Sequence, residues 1–310
     1  MATNRELKVA AAQVLTDLNV AENARKIEQA VRAAASQRCD VVLFHEGALS
    51  GYPPKESIAK LNFASIARAE RRIAHLAGRL RIAVLLGTAR REDGKRFNDL
   101  LVIDEKGRML GRYSKTWRAG EPWYAPGTGP VIFTVAGVQA TAIICHDLRY
   151  PELVRLGVAA GARIVFIANN EGGLTSERKL TGYRAMQISR GTENMVFAVM
   201  CNAPADPKNV NRYGSSHGNS MIVDPLGNVL DEAGWFEERL VTATINLREA
   251  DASTIRRVIG ESSEHQQAYG MTCEHPAIRE WMRAGLKLVT RLNGDNAKTP
   301  RRRGAKKKTK

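Results

Sequence analysis

The chain has 310 residues and a formal net charge of +15, with 44% hydrophobic and 25% charged residues. The hydrophobic share is large enough to form a sizeable core, which argues against wholesale disorder. No window approaches the roughly 18 apolar residues that span a membrane, and the start lacks a secretory signal pattern. The four cysteines are too scattered for a disulfide framework, so we expect a soluble, reduced, cytoplasmic protein.

About half of the excess positive charge lies at the C-terminus. From Lys298 onward the chain has five lysines, three arginines and no acidic residue, which leaves +7 for the rest. Such a run is typical of a solvated extension. We therefore assign residues 1–292 to one domain and residues 293–310 to a basic tail that we expect to be disordered. Any contact with nucleic acid is expected through this tail only, and a membrane partner is not expected.

Strands and helices alternate along the first third of the chain. Residues 7–14 are short and apolar and predict a buried strand. Apolar residues then recur at helical spacing after Asn19, which suits an N-cap. The pattern next predicts a strand, a helix and two further strands over residues 40–47, 63–80, 82–89 and 98–104.

The rest of the chain repeats this alternation and then becomes more antiparallel. A hairpin that turns near Gly137 precedes a helix beginning at Pro151, where proline suits the first helical turn. Strand, helix and strand are predicted next over residues 163–170, 177–194 and 195–203, followed by strands over 218–228, 229–234 and 239–247. Residues 275–292 predict a final helix. This order favours a layered α/β domain with mixed sheets.

Chemically reactive side chains follow several of the predicted strands. Glu46 follows VVLF, Cys145 follows TAII, and Lys115 closes the strand-like segment LGRYSKTW. Open α/β sheets bind ligands at the carboxyl ends of their strands, so these residues are candidates for one site. A carboxylate that ends a buried strand also needs a compensating partner.

A thiol, a carboxylate and a lysine form a coherent catalytic set. The thiol is a poor nucleophile until it loses its proton, and a carboxylate in an apolar site can accept that proton. A nearby ammonium favours the thiolate and stabilises an oxyanion. The reaction class this predicts is acyl transfer to sulfur followed by hydrolysis. The sequence contains no CxxC or HExxH motif, so a metal site has no support.

Several segments, taken together and in order, resemble the nitrilase superfamily of carbon–nitrogen hydrolases. They are KVAAAQV, FHEGALSGYPP, YSKTW, AIICHDLRYPE, ISRGTENMVFAVMCNA and SMIVDPLGNVL, and the resemblance runs from about Leu7 to Leu247. It implies an α/β fold of the nitrilase type, a four-layer-forming αββα sandwich with mixed sheets. It also implies a homodimer or higher homo-oligomer, with no metal and no organic cofactor.

The resemblance also implies roles for individual residues. Glu46 corresponds to the general base, Lys115 to the oxyanion stabiliser and Cys145 to the nucleophile. Glu121, in EPWYAPG, matches a second family glutamate that positions the lysine and the substrate amide. The backbone N–H of His146 corresponds to the other oxyanion donor.

The loops that follow the triad strands supply candidates for the substrate pocket. Tyr52, Trp117, Asn170 and Glu171 are candidates for the pocket, together with His146. His217 either lines the pocket or caps a loop, and we favour the loop cap. The chain departs from the family where it has His45 instead of proline and Trp117 instead of histidine; other candidates for the pocket wall are Trp123 and Tyr124.

The residues after the cysteine are similar to the amidase and carbamoylase branches. We therefore predict an amidase of small, linear, non-peptide amides that releases ammonia or an amine. The alternatives are an N-carbamoyl amide hydrolase releasing carbon dioxide and ammonia, then a nitrilase. A further alternative is a non-enzymatic protein associated with nucleic acid through the tail.

Overall fold

The computed structural model describes residues 6–171, 177–212, 214–252, 255 and 276–294. Nearly all of the predicted basic tail therefore lies outside the described residues, as does the first residue of the predicted final helix. The described helices are α1 (Val20–Ser36), α2 (Phe63–Leu80), α3 (Pro151–Ala159), α4 (Glu177–Thr192) and α5 (Pro276–Leu286). Short 3₁₀ turns cover Ile58–Lys60 and Cys145–Arg149. None of the described helices is both long and apolar enough to cross a membrane.

The strands form two mixed sheets. The first sheet contains β1 (Glu6–Gln13), β2 (Val41–Phe44), β3 (Ala83–Glu92), β4 (Lys95–Ile103), β5 (Met109–Ser114) and β12 (Arg239–Asn246), in the order β12-β1-β2-β3-β4-β5. The second contains β6 (Val131–Val135), β7 (Val138–Ile144), β8 (Ile164–Asn169), β9 (Phe197–Asn202), β10 (Met221–Val223), β11 (Val229–Glu232) and β13 (Thr290–Leu292), in the order β11-β10-β9-β8-β7-β6-β13. Parallel pairing runs through β1-β2-β3 and through β7-β8-β9, and hairpins extend both sheets.

Alternate residues of the first sheet belong to two different hydrophobic cores. In β1, Val9 and Ala11 face the core between the two sheets, whereas Ala10 and Ala12 pack beneath α1 and α2. This division follows from the two-residue period of a strand. On the other side, α3 contacts β7 and α4 contacts β9. The layers are therefore helix, sheet, sheet, helix, and the predicted αββα fold is confirmed.

Local signals set the first helix, but the end of the chain differs from the prediction. The Asn19 side chain accepts hydrogen bonds from the N–H groups of Ala21 (3.1 Å) and Glu22 (3.2 Å), as an N-cap does. The final helix ends at Leu286, and the predicted helix over the residues after it is wrong. Residues Thr290–Leu292 instead form β13, which pairs in parallel with β6. The free backbone edge of β6 offers partners that a continued helix would leave unused.

Candidate active site

The ends of strands from both sheets meet at one place. Glu46 lies two residues after β2, Lys115 directly after β5 and Cys145 directly after β7. The sheets are joined there by a hydrogen bond from the Glu46 N–H to the Asn169 carbonyl oxygen at 3.2 Å. The carboxyl ends of these strands therefore bring the predicted glutamate, lysine and cysteine together, although they are far apart in sequence.

Cys145 occupies a strained turn between β7 and the 3₁₀ turn that follows. Its φ angle is 47°, a left-handed value that costs a non-glycine residue about 1–3 kcal/mol and is typical of functional sites. The side chain is buried, and the backbone N–H of Asn170 donates a hydrogen bond to its sulfur. Burial, followed by the neighbouring Glu46 carboxylate, raises the pKa of the thiol well above its ordinary value. The resting group is thus a neutral thiol that needs a base.

Lys115 binds both candidate glutamates. Its Nζ lies 2.8 Å from Glu46 Oε1 and 3.0 Å from Glu121 Oε2. Burial by itself would lower the pKa of the ammonium, but the negative partners outweigh it and raise the pKa well above its ordinary value. Lys115 therefore stays charged in a site where an unpaired ammonium would not be tolerated.

The two oxygens of Glu46 have different environments. Oε1 accepts hydrogen bonds from Lys115 and from Asn98 Nδ2, the latter at 2.7 Å. Oε2 is buried and has no hydrogen-bond partner within the described residues. Burial raises the pKa of the carboxyl to about 7, against the opposing effect of Lys115. One oxygen is thus held in place while the other can take up a proton near neutral pH.

Glu121 is held in the opposite electrostatic state. It accepts hydrogen bonds from Tyr52 Oη, from Lys115 Nζ and from the Ala119 N–H at 3.1 Å. Burial would raise its pKa, but Lys115 and these donors outweigh that effect and lower it. Two carboxylates that share one lysine therefore differ in proton affinity, a pattern typical of acid–base sites.

Asp147 connects two walls of the site, and the sequence pattern did not single it out. Its carboxylate accepts hydrogen bonds from Tyr113 Oη (2.7 Å), the Trp117 N–H (2.7 Å) and the Ile144 N–H (3.2 Å). Burial raises its pKa to about 6, although the donors oppose this. The contacts tie the segment after β5, which carries the lysine, to the end of β7, which carries the cysteine. Its only signal in the sequence is its place two residues after the cysteine.

The histidine that replaces the family's proline is a buried structural element. His45 Nδ1 lies 2.9 Å from the Glu46 carbonyl oxygen and Nε2 lies 3.0 Å from the Val14 carbonyl oxygen. Burial lowers the pKa of its imidazole to about 4. The neighbouring strand β3 approaches the His45 backbone closely, since a Cβ at Gly87 would lie 1.9 Å from the His45 carbonyl oxygen. This packing fixes the backbone that presents Glu46.

The predicted pocket residues lie in different surroundings. Tyr52 donates its hydrogen bond to Glu121 and so belongs to the charged centre of the site. The Trp117 ring stacks on Tyr150 with 4.3 Å between centroids, and the side chain is 46% exposed. His146 meets the same tyrosine edge-on at 5.9 Å. Trp117 and His146 therefore belong to an aromatic cluster at the surface, directly after the catalytic candidates.

Asn170 and Glu171 are both buried at the end of β8. Glu171 Oε2 lies 3.0 Å from His217 Nε2, and His217 Nδ1 lies 3.4 Å from Asn202 Nδ2, so His217 contacts a candidate pocket residue and the end of β9. Glu171 Oε1 is buried and has no hydrogen-bond partner in the part of the chain that the structure describes. Burial raises the pKa of this carboxyl, and the contact with His217 opposes the effect. The pair places a second acceptor oxygen near the cysteine.

Among the described residues, no cluster of side chains is suited to bind a metal ion. No group of three or more His, Cys, Asp or Glu side chains in those ranges could hold an ion. What the described residues do bring together is a thiol, an ammonium and two carboxylates.

Comparisons with known proteins show which family the chain is similar to. Residues 8–254 match the sequence model of the family described as "Carbon-nitrogen hydrolase". A 2-oxoglutaramate amidase from Bacillus subtilis (strain 168) is 31% identical over 164 residues, which is 52% of this chain and 60% of that protein. An (R)-stereoselective amidase from Pseudomonas sp is 29% identical over 266 residues, covering 80% of this chain and 91% of the relative.

The fold is also found in solved structures. A variant of the amidase from Nesterenkonia sp. AN1 aligns with a TM-score of 0.70 at 22% identity, covering 85% of this chain and 96% of that one. Its active-site cysteine carries the covalently added acetamide moiety of fluoroacetamide. At this level of identity the likeness supports the shared αββα architecture.

Proposed function

Because the chain belongs to the carbon–nitrogen hydrolase family and hydrolyses non-peptide amide C–N bonds, we propose that its chemistry proceeds through a thioester on Cys145. Glu46 is the general base and Lys115 stabilises the oxyanion. The substrate is a small, linear amide, and the first product is ammonia or an amine.

The free oxygen of Glu46 is the observation that carries this proposal. Oε1 is occupied by Lys115 and Asn98, whereas Oε2 is buried without a partner within the described ranges. A pKa of about 7 makes the carboxyl able both to take and to return a proton near neutral pH. The raised pKa of the Cys145 thiol requires such a base.

The reaction then follows in two stages. The Cys145 sulfur attacks the amide carbonyl as its proton moves to Glu46, and the resulting oxyanion is stabilised by the Lys115 ammonium and the His146 N–H. The C–N bond breaks as Glu46 returns the proton to the leaving nitrogen. Water next attacks the thioester, giving its proton to Glu46. The C–S bond breaks, the acid is released, and the proton returns to sulfur.

Glu121 acts as a positioning residue for Lys115 and for the substrate nitrogen. Its lowered pKa keeps it ionised while Glu46 exchanges protons, so Lys115 retains a negative partner throughout. Tyr52 orients Glu121 by donating a hydrogen bond to it. Glu46 therefore exchanges protons during the reaction, whereas Glu121 keeps its negative charge.

The remaining pocket residues determine which amide substrate the site accepts. Asn170 holds the thiol through its N–H, and the unpartnered Glu171 Oε1 offers an acceptor to a substrate N–H group. Trp117 and His146 form the exposed aromatic rim. This arrangement suits an amide that carries a hydrogen-bond donor at one end.

Peptide mass spectrometry of the acid-quenched protein, together with assays of the released products, tests the proposal. The protein is mixed with amides, N-carbamoyl compounds and nitriles, quenched in acid and digested, with Cys145→Ala as the matched control. An acyl adduct on the Cys145 peptide, formed from amides and absent from the control, is expected. Release of carbon dioxide would indicate the carbamoyl alternative, and conversion of nitriles would indicate a nitrilase. Turnover without dependence on Cys145 would refute the mechanism.

Self-association and a cytoplasmic location stay predictions from the sequence. Sedimentation velocity across a range of protein concentrations tests the predicted homodimer or larger homo-oligomer. Fractionation of cells that produce the protein tests its location.

A further inference from the structure

The outer helical layer of the first sheet contains a strongly basic trough, which we call the α1–α2 trough. It has a volume of about 500 Å³, and none of the candidate catalytic residues is among those that line it. Five arginines face one glutamate, so the lining carries a net charge of +4 when its histidine is neutral. The lining residues are Glu28, Arg32, Arg68, Arg71, Arg72, His75, Leu76 and Arg79.

The positive side chains form a row rather than a cluster. On α2, Arg68, Arg72, His75 and Arg79 recur every three or four residues, which places them along one side of the helix. At 1.5 Å per residue the row is about 16 Å long. A single phosphate or carboxylate would meet only one or two of these groups. The row instead fits an extended chain of negative charges.

Few of these charges form ion pairs with other described residues. Arg72 forms an ion pair with Glu28 at 2.5 Å, and Arg68 donates a hydrogen bond to Ser65 Oγ at 2.8 Å. Arg71 and Arg79 are exposed and form no ion pair within the described ranges. Like charges held together on two packed helices repel one another, and a bound polyanion would relieve that repulsion.

The residue types that line the trough indicate which kind of polyanion it binds. Its one apolar side chain, Leu76, is buried, and it contains no phenylalanine, tyrosine or tryptophan. The centre of a protein–protein interface is normally apolar and rich in aromatic residues, and single-stranded nucleic acid is normally held by stacking on aromatic rings. Guanidinium groups match phosphate oxygens in pairs. A double helix has the densest phosphate charge and needs no stacking partner.

We propose that the α1–α2 trough binds the phosphate backbone of double-stranded nucleic acid without regard to base sequence. This binding is separate from the amidase chemistry. It also differs from the contact expected of the basic tail, because it belongs to the folded domain.

Fluorescence anisotropy with a labelled 20-base-pair DNA duplex tests the proposal on the full-length protein at several salt concentrations. The test variant is Arg71→Glu with Arg79→Glu. The matched control is Arg91→Glu with Arg248→Glu, which makes the same change in net charge at exposed positions outside the trough. Amide turnover is measured on all proteins to show that each variant is folded.

The trough variant should bind the duplex at least about tenfold more weakly than the control at low salt. It should also reduce the slope of log affinity against log salt by up to about 2, since each phosphate contact contributes about 0.9. Equal weakening in both variants would overturn the proposal, as would binding that is lost only when residues 298–310 are removed. Displacement of the duplex by poly-glutamate at equal charge concentration would also overturn it, in favour of an acidic protein partner. Amide turnover reports separately on the proposed catalytic mechanism.

Discussion

Replacing Glu46 by glutamine should abolish most of the activity and make the protein more stable at alkaline pH. In the folded chain, burial raises the pKa of this carboxyl from 4.5 to about 7. Between these two values the folded state binds more protons than the unfolded state, so its stability falls as pH rises. One pKa unit corresponds to about 1.4 kcal/mol, so ionised Glu46 costs the fold about 3 kcal/mol above pH 7.

Urea unfolding at pH 4.5, 6 and 8 measures this effect. Glutamine does not titrate, so the free energy of unfolding of Glu46→Gln should rise relative to the parent by about 3 kcal/mol from pH 4.5 to pH 8. Other titrating groups cancel in the comparison. Turnover of Glu46→Gln should fall by about 10²–10⁴, the usual contribution of a general base. The parent's kcat/KM should rise with pH through about 7, as the carboxyl ionises.

Glu121→Gln is the matched control of opposite sign. The pKa of Glu121 is lowered in the fold, so its stabilising effect is present above its ordinary pKa and is lost as pH falls. Glu121→Gln should therefore be less stable than the parent at neutral pH. A stability difference for Glu46→Gln that does not change with pH, or that parallels the one for Glu121→Gln, would refute the reasoning about burial.

Substitutions at three further positions test the site and its support. Cys145→Ala should abolish amide turnover and Cys145→Ser should nearly do so, because a hydroxyl is far less acidic than a thiol; substantial ammonia release by the alanine variant would contradict the mechanism. Lys115→Ala should lower kcat by about 10²–10³ in steady-state assays, and an effect confined to KM would argue against oxyanion stabilisation. Gly87→Ala should lower the free energy of unfolding by about 1–3 kcal/mol, because its Cβ would lie 1.9 Å from the His45 carbonyl oxygen. Thermal unfolding compares it with Gly182→Ala, whose Cβ meets nothing within 4 Å, and equal shifts would show that the close approach does not matter.

The sequence pattern was informative where local rules apply. The N-cap at Asn19 and the apolar face of α1 were predictable because capping and helical spacing depend on neighbouring residues. The helix over residues 275–292 was predicted too long, since its last residues pair with β6, which is far away in sequence. A strand edge that becomes available only after folding leaves no mark on a local pattern.

In the active site, too, the sequence pattern predicted some features, whereas others arise only from contacts made on folding. The segments around Glu46, Lys115 and Cys145 identify the proposed reacting groups through their residue types and their order along the chain. They do not reveal that Asn98 holds one oxygen of Glu46, or that Asp147 joins two walls of the site. Both contacts form between segments that are distant along the chain.

The amino-acid sequence by itself determined which reactive groups the protein possesses, the order in which strands and helices present them, and the family to which it belongs. The tertiary structure alone decided which oxygen of Glu46 has no hydrogen-bond partner among the described residues, how burial and Lys115 give the two glutamates different proton affinities, and which residues of α1 lie beside the arginines of α2. Proton affinity depends on desolvation and on charges within a few ångströms, and neither quantity exists until the chain has folded.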